Sequence, residues 1–242
     1  MVTGKLMSKR ITVFDVRGSM GHFRRPDTLG THATYPFITR TAVRGLIASM
    51  LGMQELPVDT RCGLRLLSTI CTVTQELSLH GKTWEAGQGA AASFSRPTSI
   101  ELLVNPAYRV YYSGEFADSL HECLEQSRSH YHTYLGAAYC LAFPRSVGVC
   151  DAESINWKAE PRVETASVIP TSCVKQLDSQ GNRQYARVGG LLYEHIGNRS
   201  FRGTINVLYE VNGEPICFKP NLDCDVEVDF VNTSSKECVC LW

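Results

Sequence analysis

The sequence has 242 residues and is 43% hydrophobic, which is enough for one large domain or for a domain with a substantial extension. That hydrophobic content excludes a disordered chain, and no apolar run is long enough to cross a membrane. Lys and Arg together number 24, as do Asp and Glu, so the formal net charge is zero and total charge does not indicate nucleic-acid binding.

The charges are nevertheless unevenly placed along the chain. From Met1 to Gly45 there are eight Lys or Arg against two Asp, a net charge of +6. From Asn221 to Trp242 there are five acidic residues against Lys236. A basic amino-terminal segment is therefore balanced by an acidic carboxyl-terminal one, and the former could attract a polyanion.

Ten cysteines are spread over the sequence, and no charged, apolar-cored leader precedes them. This distribution favours a reduced, cytoplasmic protein over a secreted disulfide scaffold. The closest pair is Cys238 and Cys240, with no Cys-x-x-Cys element and no second half-site. The spacing therefore predicts structural thiols, with neither a metal site nor a cofactor.

The chain begins with a predicted strand followed by a long loop. Arg10 to Arg17 is rich in β-branched and aromatic residues and stops at Gly18. Glycines and prolines punctuate the next stretch as far as Pro36, which predicts a loop. This loop concentrates basic and aromatic side chains: His22, Phe23, Arg24, Arg25, His32 and Tyr35.

The clearest predicted helix runs from about Thr39 to Leu51, with Gly52 placed to end it. Its apolar residues fall on one stripe: Ile38, Ala42, Val43, Leu46, Ile47, Met50 and Leu51. Arg40 and Arg44 are four residues apart, so we expect them to share the opposite, exposed face near the start of the helix. An anion could there use both guanidinium groups and the free amide ends.

Two further strand regions are predicted, at Leu64–Leu79 and Ser99–Tyr112, the second interrupted at Asn105 and Pro106. The connection between them, from Gly81 to Thr98, is too long for a simple hairpin turn, so we expect an excursion with a function of its own. Apolar residues at four-residue spacing from Phe116 then predict a second helix to about Arg128.

The remaining sequence is rich in predicted strands, at Val163–Ile169, Leu191–Ile196, Thr204–Val211 and Pro215–Phe218. Asn212-Gly213 predicts a hairpin turn joining the last two. The element order predicts an α+β fold: a ferredoxin-like (RRM-like) core in residues 1–150 and a β-rich extension in residues 151–242. Such cores often present RNA-binding surfaces.

At three places the residues resemble a known family. Residues 11–53 contain the opening strand, a Gly-containing loop with His22-Phe23-Arg24, and a helix that reads Tyr-Pro-x-x-x-Arg-Thr-Ala-x-x-Gly-Leu-x-Ala. Asn105-Pro106-Ala107-Tyr108-Arg109-Val110 and Tyr131-His132-Thr133-Tyr134-Leu135-Gly136 follow. Together these blocks resemble the fifth Cas family, the repeat-associated CRISPR subunit of type I Cascade complexes, and are most similar to its type I-B branch.

The resemblance implies a non-catalytic subunit that binds the repeat-derived 5′ handle of the guide RNA (crRNA). It also implies contacts with the backbone and large subunits of the complex, and with target DNA through that complex. In this family an inserted hairpin, the thumb, separates neighbouring nucleotides. The excursion at about residues 80–99 occupies the corresponding place in the sequence.

On this interpretation the basic loop, the first helix and the thumb bind RNA. Cations neutralise phosphates and flat rings stack on unpaired bases. We therefore predict phosphate contacts by the basic residues and stacking by the aromatic ones, giving the set His22, Phe23, Arg24, Arg25, Tyr35, Arg40, Arg44, Lys82, Trp84, Phe94 and Arg96. Single aromatic residues also commonly fill cores, and helical arginines are often simply solvated.

Two alternatives compete with this interpretation. His22, Tyr35 and Lys82 could form a metal-independent endoribonuclease that processes the guide precursor, with a base that takes the 2′-hydroxyl proton and an ammonium that stabilises the transition state. Because three scattered residues establish no geometry, no catalytic residue is predicted. A protein-only scaffold is the second alternative, since a neutral chain can bridge partners without touching RNA.

Overall fold

The computed structural model describes residues 8–28, 30–80, 95–178, 181–198 and 200–242. Over these residues the protein is β-rich with few helices. Among the described helices, none is both long enough and apolar enough to cross a membrane.

The described residues form two α-helices and fifteen strands. In chain order these are β1 (Ser8–Arg17), β2 (Met20–Gly21), α1 (Arg40–Leu51), β3 (Arg61–Leu66), β4 (Thr72–His80), β5 (Ser95–Val104), β6 (Ala107–Ser113), α2 (Ala117–Glu125), β7 (Arg145–Ser154), β8 (Val163–Thr165), β9 (Ile169–Pro170), β10 (Val174–Leu177), β11 (Tyr185–His195), β12 (Phe201–Glu210), β13 (Ile216–Pro220), β14 (Asp229–Thr233) and β15 (Cys238–Leu241).

The largest sheet has the strand order β15-β14-β7-β1-β6-β3, with antiparallel neighbours. Its four strands from the first 154 residues occur in the chain as β1-α1-β3-β6-α2-β7. The predicted strand at Arg10–Arg17 is confirmed as β1, which lies between β6 and β7. The boundary drawn at residue 150 lies inside β7, and the last two strands of the chain extend the same sheet.

Alternation along β1 divides the core between the two faces of this sheet. Phe14 and Val16 point toward the large cluster that includes the apolar stripe of α1. Ile11 and Val13 point the other way, into a smaller cluster with Tyr111 and side chains of β14 and β15. Both faces of β1 are therefore buried, as expected for a central strand.

The first helix forms as predicted. Thr39 caps its start, because the Thr39 hydroxyl accepts a hydrogen bond from the Ala42 amide at 3.3 Å. Gly52 ends it in the left-handed conformation, with φ of 73°. Val43, Leu46, Ile47 and Met50 are buried against the sheet, so the predicted apolar stripe is confirmed.

The predicted strand region at Leu64–Leu79 is two strands that belong to different sheets. β3 ends at Leu66 within the large sheet, whereas β4 pairs along its full length with β5, from Thr72↔Leu103 to His80↔Ser95. The long antiparallel ribbon of β4 and β5 carries the predicted thumb excursion, whose residues 81–94 lie outside the described part of the chain.

The predicted hairpin at Asn212-Gly213 is wrong, although a turn does form there. β12 pairs with β11 and β9, whereas β13 pairs with β10 and β8, so the turn connects two sheets. The buried Glu210 carboxylate accepts bonds from the amides of Asn212 at 2.7 Å and Glu214 at 2.9 Å. A side chain at Gly213, where φ is 78°, would lie 2.5 Å from the Leu66 carbonyl oxygen. Tertiary packing therefore decides this turn.

Candidate nucleic-acid interface

The basic loop that follows β1 folds back on itself and docks on β5. Backbone bonds link Arg25 to Ala33 and Tyr35 to Phe23, at 2.9 and 2.8 Å. His32 then forms two backbone bonds with β5, to Ser99 at 2.9 Å and from Glu101 at 3.0 Å. The loop and the base of the β4–β5 ribbon are thereby held together, which brings residues far apart in sequence into one place.

Four basic side chains meet at this junction: His22, Arg24, His32 and Arg96, hereafter the cationic cluster. Arg24 and Arg96 are exposed. The rings of His22 and His32 stack with centroids 6.4 Å apart. Burial lowers the pKa of His32, and the electrostatic influence of the neighbouring Arg24, His22 and Arg96 lowers it further. Like charges held together on a surface are unfavourable in isolation, so this arrangement favours an anionic ligand.

His22 is almost fully buried, with 7% of its surface exposed. Its Nδ1 donates to the Glu101 carbonyl oxygen at 2.8 Å, since a carbonyl can only accept. The Glu101 carboxylate in turn accepts a bond from the Thr34 amide at 3.0 Å. His22 is thus fixed between the loop and β5 and supports the exposed members of the cationic cluster from beneath.

Arg25 differs from Arg24 because it has a partner. Its guanidinium donates two hydrogen bonds to the Asp27 carboxylate, the shorter at 2.6 Å. This pairing raises the pKa of Arg25 and lowers that of Asp27. Within the described residues Arg24 has neither a hydrogen-bond nor an ion-pair partner, so Arg24 is better placed to meet a phosphate.

The two aromatic residues predicted to stack in this loop are core residues. Phe23 and Tyr35 have 4% and 7% of their surface exposed, and both belong to the large hydrophobic cluster. The Tyr35 hydroxyl donates to the Gly190 carbonyl oxygen at 3.0 Å, which ties the loop to β11. Burial also raises the pKa of Tyr35. In this structure their rings are therefore not open to a base.

The expectation that Arg40 and Arg44 share an exposed face of α1 is wrong. Arg40 is 8% exposed; its Nη1 donates to the Tyr193 carbonyl oxygen at 2.7 Å, and its guanidinium lies 4.4 Å from the Tyr193 ring centroid. Arg44 donates to the carbonyl oxygens of Thr60, Leu56 and Pro57 at 2.9 to 3.0 Å. Both guanidinium groups donate hydrogen bonds to backbone carbonyl oxygens, because other segments of the chain cover this face of the helix.

The predicted thumb residues fall into two groups. Lys82, Trp84 and Phe94 lie outside the described residues. Arg96 lies in β5 opposite Leu79 and belongs to the cationic cluster. From the predicted set, the structure therefore brings together His22, Arg24 and Arg96, and adds His32 from the same loop.

A second surface, which we did not assign to the site from the sequence, adjoins the cationic cluster. The segment from Arg128 to Phe143, hereafter the aromatic loop, exposes rings and basic side chains between α2 and β7. Four of its rings are 44 to 72% exposed: Tyr131, Tyr134, Tyr139 and Phe143. The aromatic loop meets the basic loop where the His22 amide donates to the Leu135 carbonyl at 2.9 Å.

Gly136 permits this contact between the two loops. Its φ is 84°, and a Cβ there would lie 2.0 Å from the His22 carbonyl oxygen. Glycine is therefore required both by conformation and by space. The sequence signal was the dense run of Tyr and His at residues 130–134, which we had recognised only as part of a family motif.

Comparison with known proteins identifies the family. The sequence model of the family described as CRISPR-associated protein (Cas_Cas5) matches residues 11–168, well over half of the chain. The chain belongs to the Cas5 family. The match spans the basic loop, α1, the β4–β5 ribbon and the aromatic loop. No curated protein matches the chain at a significant level.

Two solved structures were compared with the fold of this chain. A crystal structure of a CRISPR protein from Archaeoglobus fulgidus is 11% identical, with a TM-score of 0.52, over 96% of this chain and 98% of that one. A chain from a CRISPR RNA-guided surveillance complex is 14% identical, with a TM-score of 0.49, over 85% of this chain and 91% of that one.

The cysteines of this Cas5 protein form no metal-binding group in the described residues. There, no three His, Cys, Asp or Glu side chains lie close enough together to hold a metal ion. Cys173 and Cys224 lie with their sulfur atoms 3.6 Å apart as free thiols. Burial is the main cause that raises the pKa values of Cys62, to about 11, and of Cys238, to about 12, so both remain protonated at neutral pH.

Proposed function

We propose that this Cas5 protein is a non-catalytic RNA-binding subunit of a type I CRISPR interference complex, where it holds the 5′ handle of the guide RNA. The exposed cationic cluster, which joins the basic loop to the base of the ribbon, is the observation that carries this proposal. Arg24 and Arg96 are the phosphate contacts we assign first.

The physical requirements of single-stranded RNA support this assignment. A short unpaired strand needs cations for its phosphates and flat groups for its splayed bases. The cationic cluster supplies the first and the adjoining aromatic loop supplies the second, with Tyr131, Tyr134 and Tyr139 exposed. These rings take the stacking role that buried Phe23 and Tyr35 cannot fill in this structure.

The proposed fold is a ferredoxin-like core with an inserted thumb. The order β1-α1-β3-β6-α2-β7 and the antiparallel strand order β7-β1-β6-β3 support the core. The β4–β5 ribbon, inserted between β3 and β6, supports a thumb at about residues 80–99, with Lys82, Trp84 and Phe94 as its proposed RNA contacts. Residues 151–242 form the proposed extension.

Protein partners follow from the same proposal. A subunit at the end of a guide RNA would contact the backbone and large subunits of the complex, and target DNA through that complex. The expected compartment is the cytoplasm.

The proposal is tested by the salt dependence of RNA binding. Each phosphate contact that is removed lowers the slope of log affinity against log salt by about 0.7 for a single strand, so Arg24→Ala with Arg96→Ala should lower it by about 1.4. The measurement is a fluorescence anisotropy titration with labelled repeat-derived 5′ RNA between low and moderate salt. Arg162→Ala is the matched control, because that exposed arginine pairs with Asp178 in the carboxyl-terminal half.

A scaffold that binds only protein would show no salt-dependent RNA affinity in the wild type. An unchanged slope in the double variant would instead move the phosphate contacts elsewhere. Incubation with unprocessed repeat RNA tests the nuclease alternative, in which His22 acts with Tyr35 and Lys82. Discrete cleavage that His22→Ala abolishes would replace the non-catalytic assignment, although the Tyr35 hydroxyl is already committed to Gly190.

A further inference from the structure

A cleft beside α1 lies at the edge of the proposed RNA surface. It has a volume of about 220 Å³ and lies between the helix and the aromatic loop. Its lining is Ala42, Gly45, Leu46, Ser49, His132, Tyr134 and Gly136. Two ring-bearing side chains, both exposed, form one wall, and small helical side chains form the floor.

Gly45 is the informative residue of this floor. It lies in the middle of a 12-residue helix, where glycine is a poor helix former compared with alanine. A Cβ at Gly45 would meet nothing within 4 Å beyond its own helix and chain neighbours. Because the fold itself does not require a glycine here, the open space above the helix fits a ligand that approaches the backbone closely.

The chemistry of the lining selects an uncharged, flat ring. Among the residues that the structure describes, its lining includes no carboxylate and no Lys or Arg; the polar groups there are the Ser49 hydroxyl, the His132 imidazole and the Tyr134 phenol. The Ser49 hydroxyl donates to the Leu46 carbonyl oxygen at 2.7 Å, which leaves its oxygen as an acceptor. A larger cleft that Gly45 also lines differs in carrying charged groups, among them Arg44, Glu55 and Glu194.

The cleft is held in place from both sides. The amides of His130 and Tyr131 donate to the Met50 and Ser49 carbonyls at 3.0 and 3.1 Å, which fixes the start of the aromatic loop on the end of α1. At its other end, Leu135 accepts the His22 amide of the cationic cluster. A strand whose phosphates lie on Arg24 and Arg96 therefore passes next to this cleft.

We propose that the cleft over Gly45 receives one unpaired base of the guide RNA, held between the ring wall of His132 and Tyr134 and the floor of α1. The proposal rests on the proposed function and adds to it a base-binding pocket separate from the phosphate contacts. Stacking on aromatic rings tolerates any base, so this pocket anchors the position of the strand more than it reads sequence.

The test fills the cleft without touching the cationic cluster. Gly45→Phe should weaken binding of labelled repeat-derived single-stranded RNA about tenfold, the loss expected for one stacked base. Gly45→Ala should weaken binding less than Gly45→Phe does, because a methyl group fills only a small part of the cleft. Thermal unfolding of both variants checks the fold. Tyr134→Ala should also lower RNA affinity, because it removes one of the two rings that form the wall of the cleft.

RNAs with a single abasic nucleotide, scanned along the handle, identify the occupant. An abasic nucleotide at one position should lower the RNA affinity of the wild type about tenfold. The same RNA should not lower the affinity of the Gly45→Phe variant any further, because the base and the pocket form one contact. Wild-type affinity in Gly45→Phe, alongside a defect in the Arg24 and Arg96 variants, would overturn the pocket and keep the proposed function. Wild-type RNA affinity both in Gly45→Phe and in the Arg24 and Arg96 variants would overturn the pocket and the proposed function together.

Loss of a partner subunit in native mass measurements, with RNA affinity intact in Gly45→Phe, would show that a protein side chain fills the cleft. That result would also overturn the base-binding proposal.

Discussion

Two pairs of arginines, which looked equivalent in the sequence, have opposite environments in the structure. Arg40 and Arg44 lie on α1 and donate to backbone carbonyl oxygens of other segments. Arg24 and Arg96 are exposed at the junction of the basic loop and β5. The first pair holds the protein together, whereas the second pair is exposed to solvent.

The difference shows why the number of cations in a segment is a poor guide to a binding site. A guanidinium has five donors and no acceptor, so backbone carbonyl oxygens at irregular segments can bind it in place of a phosphate. The loop that follows α1 supplies carbonyl oxygens to Arg44 at Leu56, Pro57 and Thr60. Spacing along a helix cannot reveal that another segment covers the face in question.

The largest expected effect concerns stability. Arg44→Ala removes three charge-assisted bonds and takes this donor from the Leu56 and Thr60 carbonyl oxygens, while the Pro57 carbonyl keeps its bond from the Thr60 amide, so we expect the free energy of unfolding to fall by about 3 kcal/mol. Arg24→Ala, the matched control, should change it by less than about 0.5 kcal/mol. Urea unfolding monitored by circular dichroism measures both. Equal effects would erase the distinction between the two pairs.

Arg40→Lys should lower the free energy of unfolding by less than Arg44→Ala does. Lysine keeps the charge but not the planar group that stacks on Tyr193 while donating to the Tyr193 carbonyl. Burial already lowers the pKa of Arg40. The neighbouring groups that also affect this pKa are Tyr193, Arg44, Cys62 and Arg61, so a lysine in its place would meet no carboxylate among them. We expect a loss of about 1 to 2 kcal/mol in the same unfolding experiment.

Arg24→Lys serves as the control for that substitution, since an exposed cation needs no particular shape. If both lysine variants retained full stability, the Arg40 guanidinium would not be the structural tie that its geometry indicates.

Much of the fold could be predicted because local signals agreed with tertiary packing. The apolar stripe of α1 and the Gly52 stop identified that helix within a residue at each end. The break at Asn105 and Pro106 correctly separated β5 from β6. The composition typical of a strand continues from β3 into β4. No residue in that run therefore indicated that the chain enters a different sheet there.

The carboxyl-terminal strands were harder to predict because their pairing is decided over long distances. β14 joins β7, about 80 residues earlier in the chain, and Cys62 exchanges backbone bonds with Trp242 at the two edges of the same sheet. At Asn212-Gly213 the turn chemistry was correctly recognised, yet the flanking strands pair with other partners. Turn residues specify a reversal of the chain, not the sheet that each arm enters.

The candidate site could be predicted only in part. Arg24 and Arg96 stand about 70 residues apart and meet because the basic loop docks on β5, which is a tertiary event. His32 was noted as a loop residue without a role. The aromatic loop was visible as a motif, but the exposure of its rings depends on Gly136 and Leu135 anchoring it to the basic loop.

The smallest expected effect is a pH dependence that is specific to the cationic cluster. Because burial and then the neighbouring arginines lower the pKa of His32, folding favours its neutral form, and this contribution to stability is lost as pH falls below the unfolded value of about 6.5. Phosphates bound to Arg24 and Arg96 would raise that pKa again. RNA binding and His32 protonation should therefore favour each other.

We accordingly expect RNA affinity to rise severalfold between about pH 7 and pH 5.5, by no more than tenfold per pH unit, because one proton is taken up. His32→Gln should remove this rise. His195→Gln should keep it, since His195 pairs with Glu55 at the far end of β11. Anisotropy titrations at constant ionic strength measure the effect. An affinity that stays flat or falls as the solution is acidified would place the phosphates away from His32 and leave the cationic cluster without its ligand.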